Sequence, residues 1–297
     1  MNKQYYRNPV GVGKYTGLIL IMPFIIGFGL LTLYPFAASF ILGLTDYDGI
    51  HTPEFTGLSN FTSMLSSDEF RMAVWVTLKY TFILVPLKLV VSLLAAVLLN
   101  AEIKGIGVYR TIFYVPSILG SNLAIVIMWQ FLFTSGGLVD QLMGLAGIPS
   151  VGWYGSGNSA MFIIVLLRLW EFGSAMILFL NALRDIPVEY YEAARVDGCG
   201  RIRSFFRITL PLLGRVIFLN LVLQTIAAMQ EFSAPYMITG GGPMKSTYTI
   251  GMLIYDEMFR FHNAGYANAV SWAFFILVTA LVLILFAVTS RRREEDQ

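Results

Sequence analysis

One cysteine (Cys199) and two histidines (His51 and His262) are all that this chain of 297 residues offers to thiol or imidazole chemistry. A lone cysteine excludes an internal disulfide framework, and two distant histidines leave little for a metal site. Charge is equally scarce. Only 13% of the residues are charged, whereas a soluble domain carries about a quarter because its surface must be solvated. The net charge of +2 is too small for a nucleic-acid partner. No Ser/His/Asp set can be assembled, since neither histidine has a nucleophile motif nearby, so no catalytic residue is expected. The phosphate-cradling G-x-x-x-x-G-K-[ST] loop is absent too: the nearest stretch, Gly240 to Thr247, reads GGGPMKST, with Met244 where the glycine before lysine must stand. Its glycines read as a sharp turn between spans.

What the chain has in abundance is apolar sequence, 57% of all residues. No charge occurs between Lys14 and Asp46, between Arg110 and Asp140, or between Arg260 and Arg291. Each run exceeds the ~20 residues that a helix needs to cross a bilayer. Three further candidates hold isolated charges: Ala73 to Leu99, Ala160 to Ala182 and Val216 to Tyr236. The expectation is an all-α integral membrane protein with six transmembrane helices. The first run is too long for a signal-peptide core and lacks a small-residue cleavage site, so it is expected to be retained.

Orientation follows from Lys and Arg. With the N-terminus inside, the inner segments hold Lys3, Arg7 and Lys14; Lys104 and Arg110; Arg184, Arg195, Arg201, Arg203, Arg207 and Arg215; and Arg291 to Arg293. The outer loops hold only Arg71, Lys245 and Arg260, and the first of them is acidic (Asp46, Asp48, Glu54, Asp68, Glu69). This asymmetry satisfies the positive-inside rule and predicts that both termini are cytoplasmic.

The inner loop from Leu183 to Leu210 is far longer than the 2–8 residues of an ordinary helix connection. Pro187 suits the start of a helix, with Glu189 and Glu192 near its positive end. The stretch Val188 to Val196 has a face of apolar and small residues that includes Tyr191 and Ala194. Gly198 can stop that helix in a left-handed conformation. A second segment, Arg201 to Thr209, interleaves arginines with Ile202, Phe205, Phe206 and Ile208, and Pro211 is expected to end it and open the next membrane helix. The pattern predicts two short helices at an angle, with Ala193 and Ala194 small enough for a partner backbone to approach.

Glu192-Ala193-Ala194, then Gly198, then Ile208-Thr209-Leu210-Pro211 at their spacing resemble the EAA loop of binding-protein-dependent ABC importers. Leu98-Leu99-Asn100 with Lys104-Gly105, Tyr109-Arg110-Thr111 and Pro116 is similar to the second-to-third helix connection of maltose-type carbohydrate permeases. Gly57-Leu58-Ser59-Asn60-Phe61 is similar to their G-x-x-N-F element, and Thr239-Gly240-Gly241-Gly242-Pro243 with Ser246, Thr247 and Tyr255 to their T-x-G-G-P segment. Asn60-Phe61-Thr62 also matches a glycosylation acceptor, a pattern common by chance.

The resemblance implies a type I ABC importer permease fold with a cytoplasmic coupling-helix loop in the bacterial cytoplasmic membrane. It divides the chain into an inner tail (1–16), a first helix with its outer loop (17–72), a five-helix core (73–290) containing the coupling loop (183–211), and a second inner tail (291–297). Glu192, Ala193, Ala194, Asp197, Gly198, Ile208, Leu210 and Pro211 would couple it to an ATPase. The implied partners are a second related permease, two ATPase subunits that bind ATP and Mg, an external solute-binding protein, membrane lipid and a sugar. No cofactor or metal is expected on this chain, and no enzymatic activity.

Polar groups at membrane depth mark partners or pathways. Arg168 and Glu171, three residues apart, share a helix face and can pair. Lys79 and Lys88 are expected near the span ends, where at least one would snorkel. A sugar site needs hydrogen-bonding groups beside aromatic faces, which singles out Trp170, Glu171 and Ser174, together with Gln224, Gln230, Glu231 and Tyr236. An anionic cargo such as glycerol phosphate or an acidic saccharide is the alternative within the same architecture. A gradient-driven secondary transporter is the alternative outside it, but the chain shows no obvious inverted repeat.

Overall fold

The computed structural model describes residues 16–101, 104–120 and 122–295, and every regular element among them is helical. The inner-tail charges Lys3, Arg7 and Lys14, with most of the expected 1–16 tail, lie outside the described residues. Three helices are long and apolar enough to cross a bilayer unbroken: the first span (Gly17–Leu42), the second (Asp68–Leu99) and the sixth (Ala264–Thr289). Between them lie three broken spans: Ile106–Leu119 with Leu123–Leu132, Gly157–Trp170 with Gly173–Arg184, and Arg201–Leu212 with Gly214–Met229. The last two pairs bend by 43° and 66°. With each bent pair counted as one span, the described residues hold six, and the middle three are not the simple rods that the sequence suggests.

The second span begins at Asp68 rather than Ala73. The Ser67 hydroxyl accepts from Phe70 N and caps the helix, and Asp68 and Glu69 favour the positive end of its dipole. The sixth helix continues past the end of its span at Thr289 to Glu295, so residues 291–295 are helical.

The fourth span breaks at Glu171–Phe172, and its neighbours compensate. Ser117 Oγ donates to Glu171 O at 3.1 Å and accepts from Ser174 N at 3.0 Å. Irregular backbone at membrane depth persists only where such groups are re-satisfied. Gly173 is required there: a Cβ would lie 2.6 Å from Phe113 O, so only glycine lets the third span pack this closely.

The core lies between the second, fourth and fifth spans, around Tyr80, Ile163, Ile164, Leu167 and Ala228. The first span is peripheral. Leu20 and Leu31 are fully on its surface, as expected of a helix that faces lipid. It attaches to the sixth span through Phe36 and Phe40, whose rings lie 4.5 and 5.0 Å from that of Trp272.

In the loop between the first and second spans, Asn60 Nδ2 donates to Gly43 O (3.0 Å) and Thr45 O (2.7 Å), so the G-x-x-N-F element closes that loop on the end of the first span. That is the role of Asn60 here: its amide is half-buried and its donors are occupied. Farther along, hydrogen bonds from Ser150, the Gly136 amide and the Trp153 indole hold the Asp140 carboxyl below the usual carboxylate range.

Replacing Asn60 by alanine leaves two carbonyls without their donor. The expected cost is about 1–3 kcal/mol, read as a lowered thermal unfolding midpoint of the purified protein in detergent. An unchanged midpoint would contradict the clamp.

Candidate functional site

Midway along the fourth span, Arg168 lies between two carboxylates. Its Nε donates to Glu231 Oε2 at 2.6 Å and its Nη2 to Glu231 Oε1 at 2.9 Å, a two-pronged pairing that fits the planar guanidinium. Its Nη1 donates to Glu171 Oε1 at 2.6 Å and to Gly120 O at 3.1 Å. The three side chains are only 12%, 13% and 10% exposed, in the order Arg168, Glu171, Glu231.

Local structure places each one. Arg168 is in the last turn of Gly157–Trp170, where a cation suits the negative end of the helix. Glu171 occupies the break that follows, and Glu231 stands just beyond the end of Gly214–Met229. Glu231 Oε1 also accepts from Ala234 N at 3.0 Å, starting the next short helix. Gly120 has no room for a side chain because Glu171 Cδ would lie 2.2 Å from its Cβ. One arginine therefore joins the third, fourth and fifth spans.

Beside this cluster is a cavity of about 200 Å³, lined by Tyr80, Lys88, Arg168, Glu171, Gln224 and Glu231 among others. Of the residues singled out for a solute, the structure brings together Glu171, Gln224 and Glu231. Trp170 is elsewhere, stacked on Trp129 at 5.9 Å within the apolar core. Ser174 is exposed, and its backbone is held by Ser117. Gln230 is exposed, and Tyr236 joins an aromatic cluster with Phe232 and Tyr255.

The expected placement near a span end is corrected for Lys88. Lys88 is 11 residues from the Leu99 end of its helix, about 16 Å by the helical rise, and 8% exposed. It lines the cavity instead of snorkelling. Lys79 donates to Asn158 Oδ1 at 3.4 Å on another side of the helix. The sequence held a signal for Tyr80 and Lys88: with Leu84 and Ser92 they recur every four residues, which is one face of a helix.

The inner loop folds as Glu189–Val196, a turn with Gly198 in the left-handed region (φ +73°), and a run from Arg201 to Leu212. Two expectations change. Pro211 does not end the second helix: a wide turn at Phe205–Thr209, with Leu210 N donating to Phe205 O, carries the helix past it to a bend at Leu213. Ala194 is buried against its own chain, on the face where Tyr191 Oη lies 2.8 Å from Thr209 Oγ1. The outward face is therefore Ala193 with Glu192, Asp197, Val188, Tyr190 and Val196, the last 89% exposed. Ile208 and Leu210 are partly buried at the start of the fifth span, and Pro211 is exposed there. These three flank the outward helix and do not belong to its surface.

Similarity to known proteins covers almost the whole chain. It is 41% identical over 278 residues (92% of this chain, 90% of the relative) to a probable ABC transporter permease protein, YesP, of Bacillus subtilis. It is 33% identical over 285 residues (94% and 95%) to the trehalose/maltose transport system permease protein MalF of Thermococcus litoralis. A chain of a bacterial ABC transporter involved in the import of the acidic polysaccharide alginate shares its fold, with a TM-score of 0.76 at 21% identity over 94% of this chain and 97% of that one. Residues 106–292 match the family described as the inner membrane component of binding-protein-dependent transport systems, and the chain belongs to that family as a membrane-spanning permease subunit.

Proposed function

We propose that this permease carries a saccharide into the cell through a pathway beside the Arg168 cluster, driven by an ATPase on separate chains. The observation that carries the proposal is the mid-span polar cavity, in a chain similar over nine-tenths of its length to a trehalose/maltose permease. Glu171, Gln224 and Glu231 supply hydrogen-bonding groups for a polyhydroxylated solute. ATP and Mg belong to the partner ATPase, and an external binding protein delivers the solute. A second, related permease completes the membrane part.

The loop at 183–211 is the ATPase contact. A short helix with Val188, Tyr190 and Val196 on its outward face is costly to leave in water, and a groove on a partner would cover it. Glu192, Ala193, Asp197 and Gly198 shape that face, while Ile208, Leu210 and Pro211 join it to the fifth span. Switching the pathway between states requires that ATP-bound partners favour one conformer by several kcal/mol. The loop receives that difference directly at the ends of the fourth and fifth spans.

The distribution of Lys and Arg supports a cytoplasmic loop and cytoplasmic termini. Cys199, the single cysteine, lies in that loop and is partly exposed. A membrane-impermeant thiol reagent is expected to label it in inverted vesicles and not in intact spheroplasts, with Cys199→Ser as the blank. Labelling from outside would reverse the topology.

Reconstituted uptake should require ATP, and an ATPase subunit should co-purify. Disrupting the loop by Glu192→Lys together with Gly198→Val is expected to lower uptake at least tenfold while the amount of protein in the membrane stays constant. Normal uptake by this variant would sink the assignment.

Arg168→Gln leaves two buried carboxylates without their partner, at an expected cost of about 3–5 kcal/mol. A lowered thermal midpoint in detergent checks it. Arg168→Lys should recover little, because an ammonium cannot repeat the two-pronged pairing; full recovery would refute that geometry.

A further inference from the structure

The four charges around the mid-span cavity are not equally engaged. The Arg168 guanidinium is bonded to both glutamates and to a carbonyl, so its charge is matched twice over. Lys79 faces elsewhere. The Lys88 ammonium lines the cavity at 8% exposure and, among the described residues, donates no hydrogen bond. The Tyr80 hydroxyl is fully buried on the same cavity, also without a partner. The Gln224 amide, from the fifth span, lines it and makes no hydrogen bond either. Opposite them, Glu171 uses Oε1 on Arg168 and leaves Oε2 unbonded. The Tyr80 hydroxyl is buried and unpaired, a state that buried polar groups ordinarily avoid, and with the unbonded Lys88, Gln224 and Glu171 groups on the same cavity it points to a ligand.

We infer that Lys88, Tyr80 and Gln224 form a hydroxyl-binding subsite of the transport pathway, and that the ion cluster facing it selects an uncharged saccharide over an anionic one. The inference rests on the saccharide reading and adds the residues and the charge class. A sugar hydroxyl both accepts and donates. It accepts from the Lys88 ammonium or the Gln224 amide and donates to Glu171 Oε2 or Tyr80 Oη.

The charge argument is a balance. Lys88 and Arg168 oppose Glu171 and Glu231, so the cavity is neutral when empty of solute. An anionic group bound at Lys88 would share a small, water-poor space with two carboxylates and leave it with a net negative charge, which is expensive where the effective dielectric constant is low. At about 200 Å³ the cavity is below the usual range for a whole small-molecule pocket, which starts near 300 Å³. It holds one ring or part of one.

The test uses the complete importer in proteoliposomes, with its partner permease, ATPase and binding protein. Maltose and trehalose serve as uncharged probes and digalacturonate as the anionic one, and solute uptake and ATP hydrolysis are measured together. Lys88→Met is expected to lower uptake of the uncharged probe carried about tenfold, with ATP hydrolysis changed less than twofold, so that solute moved per ATP falls. Lys88→Arg, which keeps the charge and the donors, should retain at least a third of wild-type uptake.

A wild-type ratio of solute to ATP in Lys88→Met overturns the subsite while leaving the saccharide reading intact. So does a parallel loss of hydrolysis and uptake in both variants, which would mark Lys88 as structural. Efficient wild-type uptake of digalacturonate overturns the charge selection alone. Uptake of none of the three probes, with ATP hydrolysis intact, sinks the saccharide reading and the subsite with it.

Discussion

A single guanidinium held between two carboxylates at membrane depth constrains the rest of this structure. Arg168 belongs to the fourth span, takes Glu231 from beyond the fifth and reaches Gly120 O at the end of a third-span helix. Buried charges are tolerated only when paired and hydrogen-bonded, so these segments cannot separate freely. Both glutamates sit where helices stop, and both stops are compensated from outside. Ser117 Oγ donates to the freed carbonyl at Glu171, and Thr249 Oγ1 donates to Glu231 O at 3.1 Å. Helix breaks, ion cluster and cavity are thus one arrangement: unwound backbone is placed where side chains of neighbouring spans complete it, and the same unwinding opens space for a polar cavity.

The inner loop is attached to this arrangement at both ends. Gly173–Arg184 runs from the Glu171 break to the loop, where Glu189–Val196 begins. On its other side, Arg201–Leu212 leads through the bend at Leu213 into Gly214–Met229, which carries Gln224 and ends beside Glu231. Leu183, Leu180 and Leu213 pack in one apolar cluster with Leu99, and Arg110 Nη2 donates to Leu99 O at 2.7 Å. A displacement of the loop therefore acts on the two spans whose glutamates hold Arg168. The link is a path of packed elements between the loop and the ion cluster.

Much of this was legible in the sequence. The number of spans follows from three charge-free runs and three apolar runs with isolated charges, because a hydrocarbon core tolerates few charges. The two helices of the inner loop follow from Pro187, Glu189, Glu192 and Gly198, since caps and turns depend on residues close in the chain. The Arg168–Glu171 pair follows from a spacing of three. Sequence spacing does not show which residues of different helices meet. Glu231 lies 63 residues from Arg168, and Trp170, adjacent to Glu171 in the chain, points to Trp129 and the apolar core.

Composition and patterning by themselves determined that this chain spans a membrane six times and presents a structured loop on one side, because solvation and local hydrogen bonding act residue by residue. Tertiary structure alone decided that three spans are broken, that Pro211 lies within a helix, that Ala194 faces inward, and that Lys88 faces the cavity. Each of these depends on what a neighbouring helix supplies: a hydroxyl for a freed carbonyl, a partner surface, or an empty space beside an ammonium group. Such contacts form between segments far apart in the chain, where no local pattern records them.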